Sequence, residues 1–71
     1  MIEKVLDLLN TVYWSVNMNC GTRSPEWRYY YGLLAMATCA ISEFLGDPVY
    51  IVADKDYNHH VYSHATGKMI A

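Results

Sequence analysis

The chain has 71 residues, among them five Lys/Arg, seven Asp/Glu and three His, for a formal net charge of −2. That length holds one domain, which buries only roughly 60 % of the surface its unfolded form exposes. The mild acidity excludes the basic stripe of a generic nucleic-acid binder and the dense carboxylate field of a DNA mimic.

Apolar residues recur at Ile2, Val5, Leu6, Leu9, Val12, Tyr13 and Val16. This three-and-four spacing predicts an amphipathic helix over 2–16. Glu3 and Asp7 lie near its start, where the macrodipole favours them. Asn17, Asn19 and Gly21 break the pattern, and Asn17 to Arg23 reads as a loop. Ser24 reads as the N-cap of a second helix over 25–45, with Pro25 at its first position and Gly46 and Pro48 as its stop. The short link favours an antiparallel helix pair.

The second helix is apolar on nearly every side. Trp27, Tyr30, Leu34, Ala37 and Ile41 form one stripe, and Tyr29, Leu33, Met36, Ala40 and Phe44 form another. One stripe can pack on the first helix and the sheet; the other needs a different cover. A second copy of the chain is the expected cover, which makes the protein a homodimer through that stripe. The apolar run Tyr29–Ile41 is too short for a membrane span, which takes about 20 residues.

After Gly46 the period changes. Val49–Ala53 is rich in β-branched and aromatic residues and predicts a strand. Asp54–Asn58 is turn chemistry, and 59–64 predicts a second strand with His60, Tyr62 and His64 on one face and Val61 and Ser63 on the other. A turn at Ala65–Lys68 leads to a short third strand at about 68–70. The expected fold is α+β, an antiparallel helix pair followed by a small antiparallel meander, in the order ααβββ.

Tyr13 and Trp14 close the first helix, while Trp27, Tyr29, Tyr30 and Tyr31 open the second. An antiparallel pair gathers these six aromatics at one end of the molecule. Consecutive tyrosines point about 100° apart, so they cannot all enter one core. Tyr, Trp and Arg are the residues in which binding energy concentrates. The expected partner-binding set is therefore Trp14, Arg23, Trp27, Arg28, Tyr29, Tyr30, Tyr31 and Met36. Asp54 and Asp56 add an acidic patch at the hairpin tip.

Small chains supplement a thin core with a disulfide, a metal or oligomerisation. Glu3, Lys4 and Asp7 interrupt any leader-type apolar run, so the expected location is cytoplasmic, with Cys20 and Cys39 as reduced thiols. Cys20, Cys39, His59, His60 and His64 include the ligand types of a zinc site, but His60 and His64 on a strand lie about 13 Å apart. No metal and no cofactor are assigned. Asp54, Asp56 and Asn58 resemble the opening of a calcium loop, yet His59 stands where the sharp turn needs glycine and Ala65 where it needs glutamate. No nucleophile elbow, phosphate loop or zincin motif is present, and no enzyme is expected.

The leading functional expectation is a small protein–protein interaction module, a regulator or inhibitor. Phage- and plasmid-encoded host-takeover proteins, anti-CRISPRs among them, share this size and character, although no family motif accompanies the likeness. The alternatives are a metal- or small-ligand-binding protein using the histidine-rich strand and cysteines, and a small dimeric nucleic-acid-binding regulator using Arg23, Arg28, Lys55, Lys68 and the tyrosines.

Overall fold

The computed structural model describes residues 1–71. Two helices, α1 (Ile2–Asn19) and α2 (Glu26–Leu45), precede two antiparallel strands, β1 (Val49–Ala53) and β2 (His59–Ser63). The helices form one layer and the sheet the other, with α2 lying against β1 and α1 against β2. No helix is long and apolar enough to cross a membrane.

α1 runs three residues past its expected end. The Asn17 and Asn19 amides donate to the carbonyls of Tyr13 (2.7 Å) and Ser15 (2.9 Å) one turn back. They are thus satisfied inside the helix instead of competing with it. The helix buries Leu6, Leu9 and Val16 as a single stripe.

α2 starts without the expected serine cap: the Ser24 side chain makes no capping bond. The backbone N–H groups of Trp27 and Arg28 donate to the carbonyls of Ser24 and Pro25. The Trp27 indole N–H reaches back 2.9 Å to the Gly21 carbonyl, so an indole closes this loop. At the other end Gly46 adopts the left-handed conformation (φ +67°) that favours glycine. Its N–H donates to the Glu43 carbonyl and that of Asp47 to the Ser42 carbonyl, which completes a Schellman motif.

β1 and β2 pair with Val49 opposite Ser63 and Ala53 opposite His59. The alternation is clean: His59, Val61 and Ser63 face the helices and are buried, while His60 and Tyr62 face outward. On that outer face Tyr50 stacks on Tyr62 at 5.3 Å and meets His64 edge-on at 4.9 Å. β2 ends at Ser63 rather than at His64. The expected third strand reduces to an isolated bridge between Tyr62 and Met69. The Ile70 and Ala71 N–H groups both donate to the Val61 carbonyl. Two residues thus oppose one, which prevents a regular ladder.

The core comprises Leu6, Leu9, Val16, Tyr30, Ala37, Ile41, Val49 and Val61, with Leu9, Ile41 and Val61 fully enclosed. The Trp27–Ile41 stripe of α2 is therefore the one that packs inward.

Candidate functional site

Four of the six aromatics expected at one end meet there. Tyr13 stacks on Tyr30 (4.7 Å) and takes Trp27 edge-on (6.0 Å), while Tyr31 packs against Trp27 and Tyr30. Trp14 and Tyr29 point elsewhere, and Tyr57 and His59 fill the cluster from the hairpin. Tyr30 is 3 % exposed and lies in the core, so it cannot be the partner-binding residue its neighbours suggested. Trp27 is half-buried with its indole N–H committed to Gly21, and serves the loop. Tyr31 and Arg23 remain on the surface.

Beneath the cluster runs a polar chain that the sequence did not announce. The Asn10 side-chain oxygen accepts from the His59 backbone N–H (2.7 Å) and sits 2.8 Å from Nδ1 of the same residue. A backbone N–H can only donate, so the amide oxygen must point there, and Nδ1 must carry the ring proton. Nε2 of the neutral ring then accepts from the Tyr30 hydroxyl at 2.7 Å. Burial holds the His59 pKa below its ordinary value and pushes that of Tyr30 up to about 12, aided by the neighbouring Tyr13 and Tyr31 hydroxyls. None of its buried side-chain polar atoms lacks a partner, which makes it a strut between α1, α2 and β2.

Beside Asn10 lies an open groove of about 300 Å³ between α1 and the hairpin, lined by Asn10, Thr11, Trp14, Asp56, Tyr57 and Asn58. Trp14 is 52 % exposed here. Tyr57 sits at φ +66°, a region that non-glycine residues rarely occupy, and its ring is held edge-on against Tyr13. Asp54 is exposed, and its carboxylate is already engaged within the hairpin. Its Oδ1 accepts from the Asp56 and Asn58 N–H groups and its Oδ2 lies 2.8 Å from His60 Nε2, so the whole carboxylate organises the turn. The His60 contact is the foremost reason that the Asp54 pKa falls below its ordinary value.

The largest apolar exposure lies on the helix layer, facing away from the sheet. Tyr29, Met36 and Phe44 are 65 %, 70 % and 64 % exposed, and half-buried Leu33 lies between them on the same stripe. Tyr29 borders two adjoining depressions. One, of about 310 Å³, is lined by Val12, Ser15, Val16 and Glu26 among others; the other, of about 340 Å³, by Arg28, Gly32, Leu33 and Met36. Leu8, 48 % exposed, lies one turn before Val12 and extends the same face along α1. Gly32 forms a notch in it, since a Cβ added there would meet nothing within 4 Å.

The cysteines and histidines are not brought together. Cys20 and Cys39 are free, His59 is engaged by Asn10 and Tyr30, and no three His, Cys, Asp or Glu side chains form a metal-holding group. Arg28, Tyr29 and Met36 meet on the helix face, and Trp14 and Asp56 in the groove. Comparison with protein families, with curated proteins and with solved structures finds no match for this chain.

Proposed function

We propose that the chain is a small protein-interaction module, a regulator or inhibitor that works in the cytoplasm by occupying a partner protein with its helix face. The observation that carries this reading is the exposed stripe of Tyr29, Met36 and Phe44, in which Tyr29 and Met36 flank the Gly32 notch with Arg28 at its border. Aromatic, Met and Arg side chains around a depression form the composition in which interface energy concentrates. Arg28 has no ion-pair partner within the chain, because the one such pair is His60–Asp54. The chemistry that fits is an apolar partner side chain seated in the notch with a carboxylate beside it for Arg28. A role as a host-takeover or anti-defence inhibitor agrees with the size and composition.

Capture from a bacterial lysate with the tagged full chain, read by mass spectrometry, tests this reading. One stoichiometric protein partner is expected, with its affinity reduced about tenfold or more by Tyr29→Ala or Met36→Glu, a loss typical of a hot-spot residue. Both variants should keep the wild-type circular dichroism spectrum, since neither side chain is in the core. Capture that is indifferent to both substitutions would reject the helix face as the binding surface.

A further inference from the structure

The two long edges of the sheet are finished differently. On β2, the N–H groups that point away from β1 all have partners: His59 donates to Asn10 Oδ1, Val61 to the Ala71 carbonyl and Ser63 to the Lys68 carbonyl. The register sets Ala53, Ile51 and Val49 opposite these three residues. Facing residues of an antiparallel pair exchange both their bonds or neither. The N–H and C=O groups of Val49, Ile51 and Ala53 therefore also point away from the pair. Val49 bears this out, since its N–H donates to Ser42 Oγ of α2 at 3.1 Å. The outward N–H groups of Ile51 and Ala53 have no partner in the chain.

We propose that this edge pairs antiparallel with the same edge of a second copy of the chain, with Ile51 opposite Ile51 across a twofold axis. The parity of the strand singles out a second copy. The outward groups fall at 49, 51 and 53, symmetrically about Ile51. A twofold at Ile51 gives reciprocal bonds between the two Ile51 residues and a bond from each Ala53 N–H to the other copy's Val49 carbonyl. The Val49 N–H, which this arrangement needs least at the strand end, is the one Ser42 already holds.

Side chains agree with this register. Ile51 lies on the inner face in both copies, and on the outer face Val52, 46 % exposed, comes to lie beside the other copy's Tyr50, an aromatic–β-branched pair. The edge also lacks the devices that deter pairing, for Val49–Ala53 contains no lysine, proline or bulge. Helix clearance fits as well. α2 overhangs the edge at Ser42 but reaches across to β2 where Tyr30 meets His59, so it crosses the sheet diagonally. The twofold sets the overhang of each copy against the receding end of the other. Cys39 and Ala35, one and two turns before Ser42 on that flank, are small enough for the two helices to approach.

This assignment is independent of what covers the helix face. Sedimentation equilibrium and amide hydrogen exchange on the full chain, over a wide concentration range, test it. A dimer is expected, in which the Ile51 and Ala53 amides exchange about tenfold or more slowly when concentrated than when dilute. The Val52 amide, bonded within the β1–β2 ladder, should not change. Ala53→Pro removes an outward N–H and leaves the ladder intact, so it should give a folded monomer. If that variant fails to fold, amide exchange of the native chain decides alone. A monomer at every concentration, or a dimer whose Ile51 and Ala53 amides stay unprotected, overturns the proposal. Protection that arises only on adding a foreign partner protein overturns it too, and hands the edge to another chain's strand.

Discussion

His59 shows how a single buried side chain can join three elements and make the fold sensitive to acid. Its ring accepts from Tyr30 on α2, and both its ring and its backbone are held by Asn10 on α1. Burial depresses its pKa, so in the window from about 6.5 down to that lowered value the unfolded chain binds a proton that the folded chain does not. Stability contributed by the neutral ring is therefore complete above about pH 6.5 and is lost as pH falls through the window. Tyr30 acts in the opposite direction. Its pKa is raised to about 12, so its contribution is complete below about pH 10 and fades as pH rises between the two values. The expected outcome is a urea midpoint that drops between about pH 7.5 and about pH 5, with a flatter profile in His59→Gln. An equally steep fall in that variant would place the acid sensitivity elsewhere. The sequence did show that Val61 and Ser63 share one face of the strand, and by alternation His59 shares it with them. It gave no sign of Asn10, because an asparagine on an amphipathic helix reads as solvated until a second element is placed beside it.

At the scale of elements, α2 was the most legible segment and also the one whose faces were hardest to assign. Pro25, Gly46 and Pro48 mark its ends by backbone geometry that needs no tertiary context. Its two apolar stripes, by contrast, are equivalent to any periodicity argument, and only the position of the sheet separates core from surface. The third strand escaped for the opposite reason, since its pairing depends on two backbone bonds to one Val61 carbonyl rather than on side-chain pattern. Gly32 gives the exposed face a direct test. It is helical, with open space where a Cβ would go, so Gly32→Ala should stabilise the chain by about 0.5–1 kcal/mol through helix propensity alone. Chemical denaturation measures that gain. Gly32→Leu fills the notch between Tyr29, Leu33 and Met36 and should weaken partner capture while keeping the fold. A stabilised Leu variant with unimpaired capture would show that the partner does not use the notch.

The whole molecule rests on very little interior. Ten of 71 residues are buried, and the three fully enclosed side chains, Leu9, Ile41 and Val61, come one each from α1, α2 and β2. Each therefore holds its element to the other two, and loss of one is felt by all. Domains of this length have about 4–11 kcal/mol of stability, at about 0.05–0.15 kcal/mol per residue. Leu9→Ala should remove about 2–5 kcal/mol by loss of burial and by the cavity left behind, a large share of that total. Because so little margin remains, the variant should report on whatever the native surfaces bind. Association that engages only the folded chain stabilises it by mass action. If β1 pairs between copies, the folded fraction of Leu9→Ala will climb with its own concentration, and the double variant Leu9→Ala, Ala53→Pro will lose that dependence. If the helix face takes a partner protein, adding that partner will restore the single variant at any concentration. Thermal melts of Leu9→Ala at several concentrations read both effects. A midpoint that barely differs from the native chain's would show that the core does not centre on Leu9.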